Sequence, residues 1–135
     1  MEGGVKMKKN GFTLIELLAV IVILAIIALI ATPAVLNIIE DSRKAAAEAS
    51  VRNIMSAAKT YKVQQVLKGN EIKYIDLSDG VLKYDGEQAT KGLVEMYDEE
   101  NIIARVYING YCVKYAEGEF KTIKQEESAC NVYPE

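Results

Sequence analysis

The sequence predicts an α+β fold, in which one long N-terminal helix packs on a small antiparallel sheet of three or four strands. Three features carry this expectation. An unbroken apolar run near the N-terminus passes into a stretch with helical period, and an Asn-Gly pair farther on separates two alternating segments.

The chain divides by composition into five stretches: a leader over 1–11, an apolar helix over 12–39, an amphipathic continuation over 40–68, a connecting segment over 69–91 and a sheet with tail over 92–135. The leader carries Lys6, Lys8 and Lys9 and resembles only the charged front of a secretory signal, because the apolar run is too long and no small-x-small cut site follows it. Translation from Met1 or from Met7 leaves a sufficient basic leader. From Leu17 to Ala31 no polar side chain occurs, and apolar character continues through Pro33 to Ile39. A helix needs roughly 20 such residues to cross the hydrocarbon core. The lysines then keep its start cytoplasmic and place the rest outside, giving a single-pass membrane protein. Pro33 removes one helical hydrogen bond and clashes with the Leu29 carbonyl, so a kink or loosened turn is expected there.

Glu40, Asp41, Arg43 and Lys44 mark the exit from the apolar run, but the helical period persists through Ala47, Val51, Ile54, Met55, Ala58 and Tyr61. A continuous helix from about Phe12 to about Leu67, stopped by Lys68-Gly69-Asn70, would be on the order of 80 Å long. Its apolar stripe calls for a sheet to cover it. Ser78-Asp79-Gly80 and Asp85-Gly86 are turn signals in the connecting segment, with a short helix or strand allowed at Tyr74–Leu77 and Val81–Tyr84. Asn109-Gly110 predicts a two-residue hairpin between Ile102–Ile108 and Tyr111–Tyr115, pairing Ile108 with Tyr111, Val106 with Val113 and Ala104 with Tyr115 on the core face. Gly92–Tyr97 and Glu119–Lys124 read as flanking strands.

Histidine is absent and there are two cysteines, so this chain alone cannot assemble a His-based metal site or a Ser-His or Cys-His nucleophile, and no cofactor is implied. From Glu40 onward there are seventeen acidic and thirteen basic side chains, a mildly acidic surface with no basic patch to recommend direct nucleic-acid binding. The carboxylates Glu95, Asp98, Glu99 and Glu100 sit in or beside turns, where acidic runs are ordinarily solvated.

Glu16 stands out, since a carboxylate at membrane depth costs on the order of 2 to 3 kcal/mol by the mildest scales. An interfacial position at the positive end of the helix dipole is one way to accommodate it. The arrangement Lys8-Lys9-Asn10-Gly11-Phe12-Thr13-Leu14-Ile15-Glu16 offers another. It resembles the processing site of type IV prepilins and the related pseudopilins: a basic leader, Gly at the cut, Phe next, and Glu as the fifth residue of the processed chain. The resemblance implies that a prepilin peptidase cuts Gly11–Phe12 and methylates the new amine on Phe12. It also implies that Glu16 pairs with the amine of a neighbouring subunit, specifying assembly, and that Pro33 marks a section able to stretch on packing. Implied partners are further copies, other pilins or pseudopilins, the peptidase, an inner-membrane assembly platform, and membrane lipid before assembly.

Cys112 falls on the non-core face of the hairpin and Cys130 in the tail. An exported domain favours a bridge between them, whereas a reducing compartment favours two thiols. The resemblance supports the bridge, as many pilins staple their C-terminal segment to the sheet. The reading that follows is a structural subunit of a type IV pilus-like filament serving adhesion, motility or DNA uptake, and not an enzyme. A pseudopilin of a type II secretion or competence system is the near alternative, and a membrane-tethered binding domain with one span is the alternative of another class.

Overall fold

In the computed structural model, residues 4, 10–98 and 100–134 are described, so Met1, Met7, Glu99 and the leader lysines Lys6, Lys8 and Lys9 lie outside the described residues. Contacts within the chain separate two units, Met1–Ile39 and Glu40–Glu135. One helix, α1, runs Leu14–Leu67 and contributes to both. Five strands follow in the second unit, β1 Tyr74–Asp76, β2 Lys91–Met96, β3 Ile102–Ile108, β4 Tyr111–Ala116 and β5 Glu119–Lys124, with 3₁₀ turns at Leu77–Asp79 and Glu127–Ala129.

In the first unit α1 carries its apolar side chains bare. Leu14, Ile15, Leu17, Leu18 and the large aliphatics onward to Ile39 are all exposed. The helix is long and apolar enough to cross a membrane, consistent with a single-pass anchor. It starts at Leu14, two residues later than expected from the apolar pattern, because Thr13 caps it.

The second unit buries one stripe of α1, formed by Ala47, Ser50, Val51, Ile54, Met55 and Ala58. These residues recur every three to four positions and so share a face. Gly69, at φ 83°, ends the helix. The Gly69 and Asn70 N–H groups donate back to Val66 and Gln65 carbonyls at 2.9 Å each, closing two of the four carbonyls a helix end leaves open.

The sheet is antiparallel throughout, in the order β1-β2-β3-β4-β5. It has five strands where three or four were expected. The additional strand is β1, at the place in the connecting segment, Tyr74–Leu77, where a short helix or strand was allowed; it is only three residues long, too short to show alternation. Pairing with β2 through Tyr74 to Glu95, Ile75 to Val94 and Asp76 to Leu93 defines it. Val81–Tyr84 forms no strand, although Leu82 is buried and Tyr84 accepts a 2.8 Å hydrogen bond from the Ala89 N–H. The hairpin register is Ile108 to Tyr111, Val106 to Val113 and Ala104 to Tyr115, as the Asn-Gly turn requires. Asn109 and Gly110 both take positive φ, the combination a two-residue turn needs to follow the sheet twist. Ile75, Val94, Met96, Ala104, Val106, Ile108, Tyr111 and Val113 form the inner face, packed with the α1 stripe.

Loop 77–90 is held against the helix at a narrow point. The Glu87 N–H donates to Ser50 Oγ at 3.0 Å, and Asn53 Nδ2 donates to the Asp85 carbonyl at 2.9 Å. A side chain on Gly86, at φ 117°, would place its Cβ 2.7 Å from Ser50 Oγ, so both the backbone angle and the space call for glycine.

The outer face of the sheet is partly covered by the C-terminal tail. Cys130 is disulfide-bonded to Cys112 of β4, with Cα atoms 5.6 Å apart. Farther along, the Tyr133 hydroxyl donates to Asp76 of β1 at 2.9 Å. The tail therefore crosses from β4 to β1, and Leu93, Cys130 and Val132 are buried outside the main core. Asp76 is held below its ordinary value of 3.8 chiefly by the Ser78 hydroxyl, with the Ser78 N–H and the Tyr133 hydroxyl adding to this and burial opposing it. Because the folded value is depressed, its stabilising contribution is complete above about 3.8 and is lost as pH falls through the lower folded value. Amide exchange at 131–134, scaled to intrinsic rates, should therefore accelerate as pH drops below 4. An unchanged acid response in Asp76→Asn would assign the effect to another group.

Candidate processing and assembly site

Gly11, Phe12 and Thr13 precede the helix and are non-helical, and Phe12 is 79% exposed. A Cβ on Gly11 would meet nothing. The Gly11–Phe12 peptide bond thus lies in an open, irregular stretch immediately before α1, a form in which a protease can take up backbone. Thr13 is the first capping position and Glu16 stands three residues on. The Thr13 N–H donates to Glu16 Oε2 at 3.2 Å and the Thr13 hydroxyl donates to the same oxygen at 3.4 Å, while the Glu16 N–H donates to Thr13 Oγ1 at 3.3 Å. This reciprocal pattern is a capping box, which satisfies open donors of the first turn and sets a negative charge at the positive end of the helix. Phe12 and Leu17 occupy the two positions where an apolar staple flanks such a box.

Thr13 is the residue the sequence reading passed over, although the signal was present as Thr13-x-x-Glu16. In the unassembled chain the Glu16 carboxylate has local donors. Farther along, α1 continues through Pro33, and Thr32 Oγ1 donates to the Ala28 carbonyl at 2.6 Å beside the Leu29 carbonyl that loses its usual partner.

The head offers little that resembles catalytic machinery among the described residues. No cluster of three or more metal-type ligands forms among them. Glu95 binds Arg105 and accepts from the Tyr97 hydroxyl at 3.2 Å. Asp98 Oδ1 accepts from the Glu100 and Asn101 N–H groups, closing the β2–β3 turn. A groove of about 510 Å³ at the end of α1 is floored by Val63, Val66, Met96 and Ile102 and rimmed by Lys59 and Lys62. Strand pairing also aligns Arg105, Lys114 and Lys121 in one row across β3, β4 and β5, a basic cluster invisible in linear order.

No curated protein matches this chain, and no solved structure does. Residues 6–32 match the family described as the prokaryotic N-terminal methylation motif. The match spans the basic leader, the Gly11–Phe12 junction, Thr13, Glu16 and the apolar helix up to the residue before Pro33. This segment gives the chain the N-terminal signature of the type IV pilins and pseudopilins.

Proposed function

We propose that this chain is a structural subunit of a type IV pilus-like filament. The observation that carries the proposal is the matched segment 6–32, in which an open Gly11–Phe12 junction leads into a capped, uncovered apolar helix. Hydrolysis of the Gly11–Phe12 bond by a prepilin peptidase frees the Phe12 amine, which the same enzyme then methylates. Before this step the basic leader and apolar helix hold the subunit in the membrane with its head outside. Afterwards the methylated amine of one chain replaces Thr13 as the partner of Glu16 in another. A charged partner outweighs two neutral donors in a low-dielectric surround, so docking at the matching depth is favoured. Pro33 supplies the turn at which the helix lengthens as neighbours pack, because the Leu29 carbonyl already lacks its partner.

The test is mass spectrometry of the protein from its native envelope. The expected mature chain starts at Phe12 and carries one methyl group on the terminal amine. A chain retaining residues 8–11 would overturn the proposal and leave a tethered single-span domain. Imaging of sheared cell surfaces for this subunit then separates a surface pilus from a short pseudopilus within the envelope.

A further inference from the structure

Nine aromatic rings lie between Glu40 and Pro134, and six of them are buried or half-buried: Tyr61, Tyr84, Tyr107, Tyr111, Tyr115 and Phe120. The remaining three are Tyr74 at 64% exposure, Tyr97 at 68% and Tyr133 at 48%. They converge on one corner of the outer sheet face. Tyr74 lies directly across from Glu95 in the β1–β2 pairing, Tyr97 donates its hydroxyl to Glu95, and Tyr133 donates to Asp76, two residues along β1 from Tyr74. Glu95 is thus both the strand neighbour of Tyr74 and the acceptor of Tyr97, and Asp76 the acceptor of Tyr133, so the three rings form a short strip about two carboxylates rather than isolated exposures.

The carboxylates within this strip are already fixed. Glu95 is bound by Arg105 and Tyr97, and Asp76 by the Ser78 N–H, the Ser78 hydroxyl and Tyr133. Each retains acceptor capacity, since an ionised carboxylate has about four lone-pair sites. Fixed acceptors beside exposed ring faces suit a ligand that is apolar on one side and rich in hydroxyl donors at its rim. A β-linked sugar with equatorial hydroxyls has that form: its axial C–H face lies on a ring, and its edge hydroxyls donate to carboxylates. Two carboxylates against one engaged guanidinium disfavour an anionic polymer.

We propose that Tyr74, Tyr97 and Tyr133, with Glu95 and Asp76, form a binding platform for a neutral, gluco-configured glycan. The platform involves the head alone, so it stands independently of filament assembly. The probes are cellohexaose and N-acetylchitohexaose, titrated calorimetrically into the full chain held in a sugar-free zwitterionic detergent. Saturable binding of at least one hexasaccharide with Kd below about 1 mM is expected. Tyr74→Ala and Tyr97→Ala should each weaken it about tenfold, as loss of a contacting aromatic residue does. Tyr74→Phe, which keeps the ring, should stay within about twofold, and so should Lys121→Ala, on the same face but away from the strip. No binding by either sugar, or equal losses in Tyr74→Ala and Lys121→Ala, would overturn the platform. Tyr74-dependent binding of an oligoglutamate or oligolysine peptide in place of the sugars would overturn its glycan assignment. Glu16→Ala should leave sugar affinity unchanged, so failure of the glycan reading is distinguishable from failure of the filament reading.

Discussion

Glu16→Ala is expected to leave the apolar helix inserted while lowering incorporation into filaments by about 30- to 150-fold, the ratio that 2 to 3 kcal/mol of lost pairing represents. Alanine removes both roles of this side chain, the cap on Thr13 and the proposed charge for a neighbouring amine. Glu16→Gln separates them. Glutamine is accepted at this place in a capping box, so the helix start is kept, but it carries no charge to meet an amine. Thr13→Ala does the reverse, removing about 1 kcal/mol of capping while keeping the carboxylate. If charge pairing drives docking, incorporation falls for Ala and Gln alike and is reduced much less for Thr13→Ala. The measurement is the ratio of subunit in sheared filaments to subunit in the membrane pool. Normal yield from Glu16→Gln would refute the pairing role and leave helix capping as the function of the residue.

The second large effect concerns the tail. Replacing Cys112 and Cys130 together with serine opens a loop of sequence separation 18 and should destabilise the head by about 3 kcal/mol in the chain-entropy picture. For a unit of this size that corresponds to a fall in Tm of about 12 to 24 °C. The loss should also be local. With the bridge gone, the strip from Glu127 to Tyr133 is held by the Lys91 Nζ bond to the Glu127 carbonyl at 2.5 Å and by Tyr133 on Asp76. Amide exchange should therefore rise first at 127–134 and beneath it at Leu93, while Val51 and Ile54 on the other side of the sheet change least. A uniform rise across the head would show that the tail and core unfold as one unit.

Much of the fold was legible in local pattern. The stripe from Ala47 to Ala58 states its period over three turns, Lys68-Gly69-Asn70 supplies the stop, and Asn109-Gly110 sets a register that determines which six side chains face inward. Features that depend on partners distant in the chain were harder to read. β1 is three residues long, and its pairing with Val94 and Leu93 nearly twenty residues away is what makes it a strand. Gly86 reads as one more turn glycine until Ser50, thirty-six residues earlier, is seen pressing on it. The tyrosine strip joins three segments, none of which is distinctive alone. The processing segment differs, because its chemistry is written into contiguous residues, the Thr13-x-x-Glu16 cap included.

The bond between Cys112 and Cys130 has a topological consequence. It closes residues 112–130, which hold most of β4 and all of β5, into a covalent ring whose exposed lysines include Lys121 and Lys124 of β5. A protease that cuts after either lysine nicks the ring without dividing the molecule, since both new ends remain joined through sulfur. Cleavage within this exposed edge strand therefore releases nothing from the head.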